Sequence, residues 1–454
     1  MSGLIISVSG LRGVVGESLT PEVAVRYVSA YAAHLHAAKG PGEPRPRVVV
    51  GRDGRASGVF LQRAVVASLE ASGCDCLIAD VAATPTIGVL VRDQAADGAI
   101  QITASHNPPP YNGMKLFGLT GRVIGAAAGN AIKRAYEQGE SCWQPVEGIG
   151  TTQTVADPHE PHLNAVLATV DPEKIASKKF RVLLDSNHGS GAALGKRLLE
   201  KLGCEVVLIG AEPDGKFAHV PEPTAENLQG IAARVAKEKC VVGFCQDPDA
   251  DRLALIDANG RYVGEEYTLA LCVQRALRHT ATCGPIVING ATSGMSERLA
   301  SAAGVDAYRS AVGEANVADM MIAREAKYGG EGNGGPIDPR VGYVRDSFVG
   351  MAQVLALMTE TGSSLGALVD ALPKLEICKA KATIDAASLP EMLKRVASRF
   401  HDAKPDFSDG LRLAWPDKWL LVRGSNTEPI VRFIAEADSM AEAQRLCDEA
   451  AKCS

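Results

Sequence analysis

The sequence predicts an α/β protein, with three related mixed α/β domains followed by a smaller α+β unit. Length is the first observation behind this. At roughly 150 residues per domain, 454 residues imply about three domains with room for a fourth. The second is an internal echo. Val48-Val49-Val50 runs into Gly51-Arg52-Asp53-Gly54-Arg55, Val182-Leu183-Leu184 into Asp185-Ser186-Asn187-His188-Gly189, and Ile286-Val287-Ile288 into Asn289-Gly290-Ala291-Thr292-Ser293-Gly294. Each is a short apolar strand, a polar loop with glycine, then an apolar-periodic stretch that reads as a helix. Ligands collect at the carboxyl ends of such strands, so these loops are expected to face one cleft. The third is a change of pattern beyond Leu372-Pro373. Strand-like runs at Glu376–Ile384, Leu411–Trp415, Trp419–Arg423 and Ile430–Ala435 mix there with helical stretches near Leu389–Phe400 and Met440–Ala451.

Breaks in the pattern divide the chain. Gly139–Asp157 is rich in Gly, Thr and Gln, and Asp257-Ala258-Asn259-Gly260 and Leu372-Pro373 are turn-like. The expected domains are therefore 1–150, 151–257, 258–372 and 373–454. The first helix is well signalled: Thr20 is a good N-cap, Pro21 suits the first turn, and Val23, Tyr27, Val28, Tyr31 and Leu35 form one apolar stripe. His34 and His36 on this helix cannot both face one metal, so they read as surface histidines.

Composition excludes several classes. With 46% apolar and 22% charged residues the chain is not disordered. Apolar runs such as Cys240–Cys245 fall far short of the ~18 residues that span a bilayer, and no basic start precedes an apolar core, so neither a membrane span nor an export signal is expected. A net charge of −6 disfavours general nucleic-acid binding, so any bound anion needs a local basic site. The 11 cysteines are odd in number and scattered singly, which suits buried thiols in a reducing, cytoplasmic compartment. Cys74 and Cys76, two apart on a strand, point to opposite faces and make no metal pair.

Four segments carry chemistry. In Ile102-Thr103-Ala104-Ser105-His106-Asn107-Pro108 a strand runs into a polar turn, which places Ser105 at an exposed strand end as a nucleophile. Alone, the segment also fits an Asn-Pro turn with a capping serine. No G-x-S-x-G elbow surrounds Ser105, which disfavours an acyl-transferring hydrolase. Lys115, ten residues on, can neutralise phosphate, or move a proton if the site lowers its pKa. Asp247-Pro248-Asp249-Ala250-Asp251-Arg252 presents three carboxylates at spacing two, suited to one hard cation such as Mg²⁺. An EF-hand fails on spacing, because Arg252 stands where it needs Gly and Ala258 where it needs Glu. Gly329–Gly335 is no dinucleotide loop, since Pro336 and Pro339 oppose a following helix. Its Glu331 and Asn333 suit sugar hydroxyls, although a plain glycine turn fits equally. Arg423-Gly424-Ser425-Asn426-Thr427-Glu428-Pro429 groups donors around a turn as an anion cradle or, more plainly, a polar hairpin. Arg12, between Gly10 and Gly13, can reach past the backbone or lie on the surface.

In their order along the chain these segments resemble the α-D-phosphohexomutases, the superfamily of phosphoglucomutase, phosphomannomutase and phosphoglucosamine mutase. Thr103–Pro108 is similar to the family's phosphoserine loop, Asp247–Arg252 to its Mg²⁺ loop, Gly330–Gly334 to its sugar loop and Arg423–Pro429 to its phosphate loop. Pro213-Asp214-Gly215 and Pro221-Glu222-Pro223-Thr224 also match its second domain. The resemblance implies a central cleft and a last domain related to the TATA-binding-protein fold. It implies hexose 6-phosphate and hexose 1-phosphate interconversion through a phosphoserine at Ser105 and a bisphosphate intermediate, with hexose 1,6-bisphosphate as activator. Mg²⁺ would be held by Ser105, Asp247, Asp249 and Asp251. Arg12, His106 and Lys115 would be catalytic, with proton transfer assigned to Lys115. Glu331, Asn333 and Arg309 would bind the sugar, and Arg423, Ser425, Asn426 and Thr427 the phosphate.

Two departures stand out. Pro248 and Ala250 replace glycines common in the Mg²⁺ loop, and Gly-Asn-Gly-Gly replaces the Ser-Gly-His ending of many bacterial sugar loops. The Gly-Gly-Glu start and Thr427-Glu428-Pro429-Ile430-Val431-Arg432 favour glucosamine phosphate, with mannose or glucose phosphate as the alternative. The other readings are a Mg²⁺-dependent sugar phosphatase using the same serine and a non-catalytic sugar-phosphate sensor. A small-molecule substrate and a monomer or homodimer are expected.

Overall fold

The computed structural model describes residues 3–40, 42–279, 282–424 and 430–453. Among the described residues the strands form four sheets, and the first three share one supersecondary unit. Its central strand is the one the sequence echoes: Arg47–Arg52, Arg181–Asp185 or Ile286–Asn289. Each pairs in parallel with a second strand, Gly98–Ile102, Val242–Gln246 or Tyr328–Glu331. That second strand then pairs antiparallel with a third, Tyr111–Gly118, Leu253–Asp257 or Gly335–Ile337. The echo extends to side chains. Asp53 follows its central strand directly, Asp185 and Asn289 end theirs, and each Oδ1 accepts the backbone N–H two residues on, at 2.9, 3.0 and 2.9 Å.

The serine, acidic and glycine motifs occupy the same place in the three units, the connection between second and third strands. The site therefore belongs to the strands beside the echoed ones. The last sheet is wholly antiparallel, in the order Glu376–Thr383, Ile430–Ala437, Trp419–Gly424, Leu411–Ala414, Lys404–Asp406. Two amphipathic helices, Leu389–Arg399 and Met440–Ala451, bury Met392, Val396, Leu446 and Cys447 in its core.

The first helix spans Pro21–Ala38, with the Thr20 hydroxyl accepting from Val23 N at 3.3 Å. Tyr27, Val28, Tyr31 and Leu35 are buried, and His34 and His36 are partly so. Cys74 and Cys76 both lie buried in the first core, and all 11 cysteines are unpaired. No helix among the described residues is long and apolar enough to cross a membrane.

Packing blurs the expected boundaries. Strand Thr152–Thr154 joins the first sheet beside Asp75–Val81, beyond position 150. The largest core runs across the 257 boundary: Val182, Leu184 and Leu198 pack with Phe348, Met351 and Leu355 of helix Ser347–Thr361. A buried histidine ties three segments together. His162 Nε2 donates to Asp346 Oδ2 at 2.7 Å, its Nδ1 accepts from the Thr86 hydroxyl at 2.9 Å, and its ring meets Phe348 edge-on. Asp346 caps helix Ser347–Thr361 through Phe348 N and Val349 N. Replacing His162 with Ala leaves a cavity and strips the buried Asp346 oxygen and Thr86 hydroxyl of their partner. The expected loss is roughly 2–4 kcal/mol, measured by urea unfolding.

Candidate active site

The serine loop is held by a side chain the motif does not contain. Arg55 is 1% exposed, and its guanidinium donates to the carbonyls of Ser105, Asn107, Pro108 and Tyr111 at 2.6–3.0 Å. Asp53 pairs with Arg55 Nε at 3.1 Å and accepts the Thr103 hydroxyl at 2.7 Å. Thr103 Oγ1 in turn accepts from Ser105 N at 2.9 Å. Bound in this way, Ser105 adopts φ +49°, a left-handed conformation unfavourable for any residue with a Cβ. Its hydroxyl donates to Asp247 Oδ2 at 2.8 Å, and His106 Nδ1 stands 3.3 Å away.

Asp247, Asp249 and Asp251 are fully buried, and their carboxylates converge within 4.8 Å. The turn that brings them together puts Ala250 at φ +56°, where the family's glycine would be unstrained. Cations surround the cluster. Lys115 Nζ donates to Asp249 and Asp251 at 2.6 and 2.8 Å, and Arg345 Nη2 donates to Asp251 at 2.6 Å. The Thr84 hydroxyl donates to Asp249 at 2.6 Å. Burial and the charges of Asp249 and Asp251 push Asp247 well above the usual carboxylate range. Burial also opposes the charge on Asp249, but Lys115 and the hydrogen bonds it accepts hold it below that range. Asp249 Oδ1 and Asp251 Oδ1 are buried without a hydrogen-bond partner, the latter 3.9 Å from Arg252 Nε. All-oxygen donors, two of them orphaned, fit a hard divalent cation.

Two expectations change here. Lys115 was expected to need a lowered pKa for proton transfer. Burial acts in that direction, but Asp249 and Asp251 outweigh it and hold the ammonium above the ordinary lysine value. His106 goes the other way, since Arg252, burial and Arg12 push it down to about 2, leaving a neutral imidazole beside Ser105.

Glu331 is 3% exposed and accepts from Asn289 Nδ2 and Gly313 N on one oxygen, at 2.7 and 3.1 Å, and from Arg345 Nη1 on the other, at 2.7 Å. Arg345 thus bridges the acidic loop and the glycine loop. Asn333 Oδ1 is buried without a partner. Arg309 does not point into the cleft; it pairs with Glu297, donates to the carbonyls of Asn289 and Thr292, and lies 5.4 Å over the Trp419 ring. Its role here is to brace the loop at 289–292. Arg423 pairs with Asp409 and lines the cleft. Ser425, Asn426 and Thr427 lie outside the described residues.

Lys115, Glu331, Asn333, Arg345 and Arg423 line a cavity of about 810 Å³, whereas Ser105 and the three aspartates are buried. Its charge is divided. Arg12, held by Asn107, and Lys115, Arg252 and Arg345 cover the acidic cluster. Lys379, Lys381, Arg423 and Arg432 make a basic wall on one face of the last sheet. Glu222, Glu266, Glu314 and Glu331 line the cleft as well. Sequence reasoning missed Arg55, Arg345 and Glu266. Arg55 lay in the echoed Gly-Arg-Asp-Gly-Arg loop, whereas the other two carry no local signal.

A hydroxyl bonded to a buried carboxylate cluster, close to a cleft lined by several cations, is an arrangement suited to a phosphoryl-transfer enzyme. Family models for phosphoglucomutase/phosphomannomutase match in order: α/β/α domain I at residues 4–142, domain II at 160–260, domain III at 265–375 and the C-terminal domain at 379–452. The chain is 35% identical over 445 residues to a phosphoglucomutase/phosphomannomutase of Thermococcus kodakarensis, covering 97% of this chain and 96% of that one. It is 32% identical over 452 residues to a Methanopyrus kandleri protein named "Probable phosphoglucosamine mutase", covering 98% and 97%. The crystal structure of a phosphoglucomutase/phosphomannomutase family protein from Burkholderia thailandensis superposes with a TM-score of 0.84 at 25% identity, over 99% of this chain and 97% of that one. The chain belongs to the phosphoglucomutase/phosphomannomutase family and is a hexose-phosphate mutase, an isomerase.

Arg345 is the test of the bridge. Arg345→Lys keeps one charge but cannot serve Asp251, Glu331 and Glu314 together. Turnover is expected to fall at least tenfold, about 1.4 kcal/mol, with a raised KM in steady-state assays.

Proposed function

We propose that this enzyme interconverts glucosamine 6-phosphate and glucosamine 1-phosphate, with Ser105 as the carrier of the transferred phosphoryl group. The divided charge of the cleft carries the choice of sugar. A hexosamine phosphate is a zwitterion, with a phosphate suited to Lys379, Lys381 and Arg423 and an ammonium suited to the glutamate wall. Mannose or glucose phosphate is the second reading, favoured by the name of the Thermococcus kodakarensis relative.

In this reading the sugar hydroxyl attacks the phosphorus on Ser105. A new O–P bond forms, the bond to Ser105 Oγ breaks, and the hydroxyl proton leaves to a base. The bisphosphate then reorients, and its other phosphate returns to Ser105, so added hexose 1,6-bisphosphate loads an empty serine. Asp247, Asp249 and Asp251, with the oxygen on Ser105, would hold Mg²⁺, which neutralises charge on the transferred group. Arg12, Lys115 and Arg252 sit where they can hold its remaining oxygens. His106 stands 3.3 Å from Ser105 Oγ but is a weak base while the surrounding cations hold it down, and Lys115 can accept a proton only once parted from its carboxylates. Glu331 and Asn333 would orient the sugar, while Arg423 with Ser425, Asn426 and Thr427 would grip the idle phosphate. Water must stay out, because a phosphoserine open to solvent gives a phosphatase. The last domain, carrying the basic wall, is a natural lid. A reducing, cytoplasmic setting suits the unpaired thiols.

Parallel assays of glucosamine, mannose and glucose 6-phosphates with Mg²⁺ and hexose bisphosphate are expected to rank glucosamine first. They should yield isomerised sugar phosphate and little free phosphate; sustained phosphate release would mark a phosphatase. Mass analysis after incubation with the bisphosphate should find Ser105 heavier by about 80 Da, and Ser105→Ala should abolish turnover. Asp249→Asn removes a charged ligand and the partner of Lys115, so activity should fall at least a hundredfold, roughly 2.7 kcal/mol, without rescue by added Mg²⁺.

A further inference from the structure

Glu266 lies in the first turn of helix Glu265–Arg278, outside every motif above. Its carboxylate nevertheless lies against the glycine loop. A Cβ built on Gly332 would stand 2.0 Å from Glu266 Oε2 and 2.3 Å from Oε1, so only the missing side chain at 332 lets the carboxylate approach. Gly332 lies between Glu331 and Asn333, and its N–H donates to Thr292 Oγ1 at 2.9 Å. Glu266 Oε2 accepts from Ser293 N at 2.9 Å, which fixes the head group between the glycine loop and the 291–294 turn. The residue lines the cleft.

We propose that Glu266 is a specificity-determining residue that selects a 2-amino sugar over a 2-hydroxy sugar, its carboxylate facing the ammonium on the ring. The assignment rests on the amino-sugar reading above and names the group that enforces it. Glu331 has both oxygens committed to protein donors and Arg345, so it has little left for an added cation. Glu266 has one backbone N–H and faces Lys379 from the last domain. Burial pushes it up to about 8 and its neighbour Glu265 up to about 7, the state of carboxyls short of positive charge. Glu265 Oε1 and Asn333 Oδ1 are also buried acceptors without a hydrogen-bond partner. A bound ammonium supplies the missing charge and donors. A hydroxyl supplies a weaker bond and no charge.

Two variants test this by different routes. Glu266→Gln removes the carboxyl that a bound ammonium would ionise and keeps the shape; Gly332→Ala keeps the carboxyl and forces it away from the loop. For each, kcat/KM is measured with glucosamine 6-phosphate and with glucose 6-phosphate, alongside the unmodified enzyme. The ratio of kcat/KM for the amino sugar to that for the glucose substrate is expected to fall at least about tenfold in both variants, whatever each does to turnover as a whole. If one variant does not fold, the other decides. An unmodified enzyme that prefers amino sugar, with variants that keep its ratio, overturns the role of Glu266 and leaves the amino-sugar reading standing. An unmodified enzyme that prefers glucose 6-phosphate overturns both.

Discussion

Three carboxylates buried within 4.8 Å of one another cannot all be ionised unless positive charge reaches them. Much of the site answers this constraint. Lys115 supplies charge from a strand of the first sheet and Arg345 from the loop before helix Ser347–Thr361, Thr84 supplies a hydroxyl, and Asp247 is pushed toward its neutral form. The orphaned oxygens of Asp249 and Asp251 mark the part that protein groups leave undone. Ser105 enters the same cluster through Asp247, so the nucleophile and the charge balance are set together.

The backbone makes a matching concession in two places. Ser105 and Ala250 both occupy left-handed conformations, at φ +49° and +56°, in loops at equivalent positions of two repeated units. Such conformations persist when surrounding bonds over-determine them. For Ser105 those bonds are visible: Arg55 saturates the carbonyls of the loop, and Asp53 fixes both Arg55 and Thr103.

The sequence made the local parts legible and left the long-range parts hidden. The four motifs could be read because each is contiguous and each residue type states its chemistry. The first helix could be read from its cap and its apolar stripe. Arg345 could not, because it meets Asp251 from 94 residues away and Val344-Arg345-Asp346 has no spacing of its own. Glu266 was hidden for the same reason, its partner being the empty space at Gly332. Strands Thr152–Thr154 and Lys404–Asp406 escaped notice because edge strands need no apolar face, and both are fully exposed. The echo was real but pointed one strand aside: Asp53, Asp185 and Asn289 form matching turns, while the chemistry sits on the neighbouring strands.

One guanidinium, Arg345, holds Asp251 with one nitrogen and Glu331 with another. Whatever relieves Asp251 of negative charge changes how strongly Glu331 is held. If Asp251 holds the ion and Glu331 the sugar, as proposed above, thermodynamic reciprocity would require the two affinities to alter each other by one common factor. A single shared side chain would then make occupancy of either site a report on the other.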